Sequence, residues 1–294
     1  MSQSSLITGL LGYEIELPVS DYDLDATMTS GQVFAWEKKE QDWVGVVSGN
    51  WVSLRMFPGG IRAVAAVPQN DWSWLNTFLQ TEVNLAELLA TFPCDDTYLN
   101  AAVATCRGLR LLRQPPWECL ASFILSSTKQ IIQIQQVVRT LCSRHGNPVT
   151  VPSSHTPAFT FPTPEQIASL SETQLRACKM GFRAKYLLSA ARRVVEGELK
   201  LEHIAQLPLN AARDELMKLP GVGEKIADCV LLFAYGFPAA FPVDVWVARA
   251  LSQFYFKGRR TNPEQLRLFA AKHFGPNAGY AQQYLFHHMR TQVG

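Results

Sequence analysis

What this chain lacks narrows the field first. Its 294 residues contain no uninterrupted apolar run near the ~18 that a membrane-spanning helix needs. No transmembrane span and no membrane partner are therefore expected. The opening MSQSSLITGLLGYEIELP has no basic stretch ahead of its apolar residues and meets acidic ones early. It reads as neither a secretory signal nor a transit peptide. Cysteine is sparse: Cys94, Cys106, Cys119, Cys142, Cys178 and Cys229 stand singly, with no C-x-x-C pair. That spacing excludes a clustered zinc or iron–sulfur site. It fits a reducing intracellular compartment, with most of the thiols as small buried hydrophobes. There is no internal repeat and no low-complexity segment.

What is present is unevenly spread. Residues 1–106 hold 4 Lys and Arg against 13 Asp and Glu, a net −9; residues 107–294 hold 23 against 12, a net +11. This split suggests an acidic region that stays clear of the partner and a basic region that meets a polyanion. A chance distribution of surface charge is the plainer alternative.

The same division is visible in local pattern, and α+β is the expected class. Gln41–Val47, Trp51–Met56 and Ile61–Val67 are rich in valine and aromatics and separated by Gly49-Asn50 and Pro58-Gly59-Gly60, so they read as strands. Helices are expected over Asp71–Gln80 and Leu85–Thr91. From about Leu109 the chain turns helical. Pro115-Pro116-Trp117 opens a long amphipathic segment that ends at Gly146, with a break near Ser126-Ser127. Asn147–Pro164 is too proline-dense for regular structure. Further helices are expected over Glu165–Leu170, Thr173–Cys178, Ala184–Glu196, Arg213–Leu219, Val243–Phe254, Glu264–His273 and Ala278–Thr291. The expected domains are 1–106 and 107–294.

The most informative stretch is Leu219–Ala250, LPGVGEKIADCVLLFAYGFPAAFPVDVWVARA. LPGVG between two helical patterns, at about 211–236, reads as a helix-hairpin-helix turn. Its glycines permit positive φ and let a phosphate approach exposed N–H groups, which holds nucleic-acid backbone without reading sequence. Lys225 follows in the first turn of the next helix, where free N–H groups repel a cation. An amine held there and shielded from water spends more of its time neutral and nucleophilic. The plainer reading of Lys225 is a solvated partner for Asp228 at i+3. Cys229 at i+4, with Val230–Tyr235 beyond it, instead places Lys225 on an inward face. Asp244 reads as a helix N-cap, a role compatible with a rigid carboxylate beside a developing cation.

At these residues the chain resembles the helix-hairpin-helix DNA glycosylases with the Gly-Pro-Asp signature. SGQVFAW (Ser30–Trp36), GLRLLRQPPWECLASFILSS (Gly108–Ser127), GFRAKYLLSAARRV (Gly181–Val194) and GPNAGYAQQYLF (Gly275–Phe286) narrow the resemblance to the 8-oxoguanine DNA glycosylase branch. The resemblance implies an N-terminal antiparallel, TBP-like sheet domain followed by two all-α regions with the active site in their cleft. It implies a monomer acting on duplex DNA, in nucleus or nucleoid. Base flipping would be followed by attack of Lys225 on C1′, a Schiff base and β-elimination, with Asp244 stabilising the developing charge. Gly31 would offer its carbonyl to the N7–H found only on the oxidised base, where guanine has an acceptor. Gln282 would read the Watson–Crick edge, with Phe286 and Cys229 on the two faces of the ring. Without the resemblance, Gly31 reads as a turn glycine and Phe286 as core. Gly221, Val222 and Gly223 would hold a backbone phosphate, through a bound monovalent cation in one version; no other cofactor is implied. Thr128, Lys129, Gln133, Phe182, Arg183 and Trp246 fall on the family's DNA-contacting positions.

Several of these positions depart from the family pattern. Thr128-Lys129-Gln130 replaces an asparagine run whose first member fills the hole left by the flipped base. Gln133 stands where an arginine often reads the opposite cytosine, Phe182 replaces a common tyrosine, and Trp246 stands where a phosphate-contacting histidine is usual. The alternatives are the same fold acting on another oxidised or alkylated purine, and a non-catalytic DNA-binding module. The last predicts loss of Lys225 or Asp244, and both are present.

Overall fold

The structure, a computed structural model, describes residues 13–127 and 129–293. A five-stranded antiparallel sheet is formed by β1 (Glu14–Pro18), β2 (Glu37–Lys39), β3 (Asp42–Val47), β4 (Asn50–Phe57) and β5 (Gly60–Ala65), in the order β1-β5-β4-β3-β2. The three strands expected from valine and aromatic content are β3, β4 and β5. β2 is three residues long with two lysines, too short and too polar to carry a strand signal. Along β4 and β5, Val52, Leu54, Ile61 and Ala63 are fully buried, while Arg55 and Arg62 face solvent. Period-2 alternation thus gives the sheet one core face. Onto it pack α1 (Leu24–Thr29) and α2 (Ser73–Leu79) through Leu24, Met28, Leu75 and Leu79. Trp36 stacks on Phe78 with centroids 5.5 Å apart and covers Gly45, where a Cβ would sit 2.5 Å from the indole.

The remaining helices are α3 (Leu85–Leu89), α4 (Thr97–Thr105), α5 (Pro116–Ser126), α6 (Ile131–His145), α7 (Pro164–Ala168), α8 (Glu172–Leu175), α9 (Arg183–Val195), α10 (Leu201–Ile204), α11 (Leu209–Met217), α12 (Glu224–Val230), α13 (Val245–Tyr255), α14 (Pro263–His273) and α15 (Ala278–Val293). The class is α+β, as expected. The break between α5 and α6 falls at the two serines. Leu85, Leu99, Ala102 and Cys106 belong to the helical core, whereas Leu112 belongs to the core under the sheet, so the chain crosses between the two cores more than once.

Two expectations are corrected. Within 147–164, β6 (Pro148–Val149) pairs with β7 (Ala158–Phe159) as a short ribbon. Pro148 opens its strand, where a missing N–H costs little. The helix expected to run to Cys178 gives way at Arg176 to a wide turn, with Lys179 at φ 62 before Gly181 at φ 61. Among the described residues no helix is long and apolar enough to cross a membrane.

A buried polar network fixes the sheet against the helices. The Gln32 carboxamide donates to the Arg110 carbonyl (2.8 Å) and accepts from the Leu112 N–H (2.8 Å), and its own carbonyl accepts from Gln114 (2.7 Å). Arg110, 2% exposed, donates to the carbonyls of Ser20, Asp21 and Val83. Gln283 of α15 donates to the Ser30 carbonyl at 2.7 Å. Unmade, these buried bonds would each cost on the order of 1–3 kcal/mol. Together they hold Ser30-Gly31-Gln32 in one place against α15.

Candidate active site

The hairpin between α11 and α12 is anchored by Leu219 and Val222, both buried, with the Val222 N–H donating to the Leu219 carbonyl at 3.1 Å. Gly221 has φ 84, and a Cβ there would lie 2.6 Å from the Tyr186 ring. Gly223 N-caps α12, its carbonyl accepting from Ala227 at 3.0 Å. Gly221→Ala is therefore expected to cost about 2–3 kcal/mol, from left-handed strain plus overpacking against Tyr186. Gly197→Ala, at φ 76 but facing open space, should cost only about 1 kcal/mol. Denaturant midpoints of the two variants check the difference.

Lys225 lies in the first turn of α12 and is half-buried. Its Nζ is 3.5 Å from the Ser126 hydroxyl at the end of α5 and 5.2 Å from the centroid of Phe123. The alternative pairing with Asp228 is overturned. Asp228 is fully buried and bridges to Arg213 of α11 at 2.7 Å. Cys229, one turn beyond Lys225, is also buried, and burial pushes its thiol up to about 12 against the opposing pull of Lys225. It is a neutral wall, not a second nucleophile.

Asp244 is the N-cap of α13, its Oδ1 accepting from the Val247 N–H at 2.8 Å. Burial raises its carboxyl above the ordinary aspartate range, while the Val247 bond and the Lys225 charge oppose that shift. The expected cap and a carboxylate beside the amine are thus the same residue.

These groups meet around one pocket lined by Ser30, Gly31, Phe123, Lys225, Cys229 and Asp244, closed by Gln282 and Phe286 of α15. The six residues expected to carry chemistry and base recognition come from four separate parts of the chain. Gly31 has φ 77, and a Cβ there would meet Ile131 at 2.9 Å and Phe286 at 3.3 Å. Gln282 is 4% exposed, and its Oε1 has no hydrogen-bond partner. A buried acceptor left unpaired beside a cavity is suited to a donor brought by a ligand. The free space among these side chains is small, about 40 Å³.

The expected DNA-contacting residues are placed less uniformly. Thr128 lies outside the described residues. Lys129 follows it, half-buried, with its N–H donating to the Ser126 carbonyl at 3.2 Å. Gln133 is the third residue of α6, and its Oε1 accepts the Gln130 N–H at 3.1 Å in a capping box. Phe182 is 47% exposed and meets Tyr186 edge-on. Trp246 is half-buried in the first turn of α13. Arg183 is buried, its guanidinium donating to the carbonyls of Met180 and Ser127. It satisfies the partly buried Ser127 carbonyl at the end of α5, which has no partner within the helix.

Sequence reasoning missed Ser126, Phe123 and Arg290. Arg290 lies one turn beyond Phe286 on α15, donates to the Thr29 carbonyl at 3.2 Å and places its guanidinium 5.5 Å from the Phe286 ring. The i, i+4, i+8 spacing of Gln282, Phe286 and Arg290 was the available signal. Among the described residues no group of three or more His, Cys, Asp or Glu is placed to hold a metal.

Residues 14–120 match the family model for the 8-oxoguanine DNA glycosylase N-terminal domain, and residues 121–276 match that for HhH-GPD superfamily base excision DNA repair proteins. A probable N-glycosylase/DNA lyase of Methanothermobacter thermautotrophicus is 29% identical, over 94% of this chain and 96% of its own length. The Arabidopsis thaliana N-glycosylase/DNA lyase OGG1 is 30% identical, over 93% of this chain and 79% of its own. Among solved structures, the Clostridium acetobutylicum 8-oxoguanine glycosylase/lyase, bound to double-stranded DNA with cytosine opposite 8-oxoguanine, superimposes with a TM-score of 0.87. It is 28% identical and covers 96% of this chain and 99% of its own.

Proposed function

The chain belongs to the HhH-GPD superfamily of base excision DNA repair proteins, with the N-terminal domain of 8-oxoguanine DNA glycosylases, and from that premise we propose that it excises 8-oxoguanine from duplex DNA through Lys225. It is an N-glycosylase/DNA lyase. The observation that carries the finer reading is the convergence of Lys225, Asp244, Gly31, Cys229, Gln282 and Phe286 on one pocket.

In this reading the damaged nucleotide leaves the stack and enters between Cys229 and Phe286. The Gly31 carbonyl accepts the N7–H of 8-oxoguanine; guanine, with an acceptor at N7, is repelled there. The unpaired Oε1 of Gln282 accepts from the N–H groups of the Watson–Crick edge. Lys225 Nζ, neutral when it attacks, forms a bond to C1′ as the C1′–N9 bond breaks, and the base departs with the bonding pair. Asp244, its carboxyl raised by burial, takes the proton released as nitrogen bonds to carbon. The nitrogen lone pair then closes C1′=N as the C1′–O4′ bond breaks and O4′ takes up a proton, opening the sugar. The imine acidifies C2′–H, and loss of that proton expels the 3′-phosphate by β-elimination.

The Gly221–Gly223 hairpin suits a backbone phosphate. A cation there would be held by backbone oxygens alone, because the nearby Glu224 is paired to Arg267 at 2.6 Å. That donor set fits a monovalent ion better than a divalent one. All of these groups lie in one copy of the chain, and we take the active unit to be a monomer.

The test is a duplex bearing one 8-oxoguanine opposite each of the four bases, incubated with borohydride. Base release with a covalent protein–DNA product is expected for 8-oxoguanine. Release of a different oxidised or alkylated purine in its place would move the assignment to another lesion. In the same assay Gln133→Arg is expected to raise the preference for lesions opposite cytosine, by roughly tenfold for a bidentate base contact. It should also cost about 0.5–1 kcal/mol of stability, because the capping box is lost. An unchanged ratio across the four opposite bases would place residue 133 outside that contact.

A further inference from the structure

A second cavity, about 340 Å³, lies between the sheet and α6 and shares no lining residue with the pocket beside Lys225. Its walls include Trp51 of β4, Val138 of α6, and Phe159 and Phe161 at and after β7. A smaller space of about 200 Å³ adjoins it, and the two share Val46, Phe161 and Glu118. The volume and the flat apolar walls are those of a small-molecule site.

Glu118 is the ionisable group that both spaces share, in a helix first turn whose free N–H groups favour a carboxylate. It sits in the first turn of α5, and its carboxyl makes no hydrogen bond or ion pair among the described residues. Burial pushes its pKa up to about 7. The side chain is half-buried and lines both spaces, so its carboxyl is free to accept from a bound molecule. At the rim, Lys39 Nζ donates to the Thr156 hydroxyl at 3.1 Å and among the described residues has no carboxylate partner; Arg139 is paired to Glu37 at 3.2 Å. The cavity thus offers an acceptor within, aromatic walls, and an unpaired ammonium at the mouth. The complement is a flat heterocycle with adjacent N–H donors at one end and an anion at the other.

We propose that this cavity binds a free purine nucleotide with a guanine-type edge, its N–H donors on the Glu118 carboxylate and its phosphate at Lys39. Adenine presents a different donor pattern to the same carboxylate and should bind less well. The site does not depend on the lesion pocket, since no residue is common to both.

Calorimetric titration of the intact protein with GMP, guanosine and AMP at pH 8, where Glu118 is ionised, tests this. One GMP per chain is expected, with AMP at least about tenfold weaker, the equivalent of one charge-assisted hydrogen bond. Glu118→Gln should weaken GMP and guanosine alike by about tenfold or more. Lys39→Gln, at the rim and without consequence for folding, should bring GMP down to the affinity of guanosine. Gln282→Ala should leave GMP binding unchanged. The proposal is overturned by absence of GMP binding at millimolar concentration, by equal affinity for AMP, or by loss of binding in Gln282→Ala, which would put the nucleotide in the lesion pocket. If Glu118→Gln does not fold, Lys39→Gln still decides: an undiminished advantage of GMP over guanosine refutes the assignment.

Discussion

Lys225→Gln is expected to lose base excision by at least about 10³-fold, and to give no borohydride-trapped product, while still binding the lesion duplex. A carboxamide nitrogen has its lone pair delocalised and forms no imine, so both the first bond to C1′ and the reducible intermediate disappear. Binding should persist because the hairpin, Gly31 and Gln282 are untouched. Folding should persist as well: the half-buried lysine gives up one long contact to Ser126 and its place over Phe123, worth within about 0.5 kcal/mol. Single-turnover excision, trapping and duplex binding measured together separate chemistry from affinity. A trapped product from the variant would assign the attack to another amine.

The second large effect is at Asp244, where the two roles of one residue can be separated. Asparagine caps a helix as well as aspartate does, so Asp244→Asn should keep the Val247 bond while removing the charge. Excision should fall by about 10²–10³, the range for removing one preorganised group that stabilises transition-state charge. Asp244→Ala should add a stability loss of about 1 kcal/mol from the missing cap. The pH dependence has a definite sign. Burial raises the folded carboxyl above its unfolded value, so this group favours the fold below the unfolded value, and that contribution is lost as pH rises through the folded one. Asp244→Asn should accordingly be at least as stable as the parent at neutral pH. Activity runs the other way. In the proposed mechanism the ionised form accepts the proton, so the acid limb of the rate profile should lie above the ordinary aspartate range and vanish in Asp244→Asn. An intact acid limb in that variant would identify a different titrating group.

Much of the fold was legible because its signals are local. β3, β4 and β5 announced themselves by valine and aromatic content, and the long helices by their period and caps. β1 and β2 did not, because five residues with two glutamates and three with two lysines are too short and too polar to signal a strand. The 147–164 stretch was misread for a related reason. Its prolines argued against regular structure, yet the ribbon needs only two residues on each strand and puts Pro148 where no N–H is required.

By itself the sequence determined what helical spacing and turn chemistry can determine. It set Lys225 and Cys229 one turn apart, Gln282 and Phe286 one turn apart, a glycine hairpin before the lysine and a capping aspartate after it. Tertiary structure alone decided which of these groups meet. Gly31 reaches the pocket because Gln283, 253 positions away, holds the Ser30 carbonyl. Arg213 takes Asp228 and leaves Lys225 facing Ser126 and Phe123. The open carbonyl at the end of α5 draws Arg183 inward, and the first turn of α6 holds the carboxamide oxygen of Gln133. For Ser30, Asp228 and Ser127 the deciding term is the cost of leaving a polar group unpaired once it is shielded from water, and that cost depends on partners far away in sequence; Gln133, exposed and local, instead satisfies a helix-end N–H.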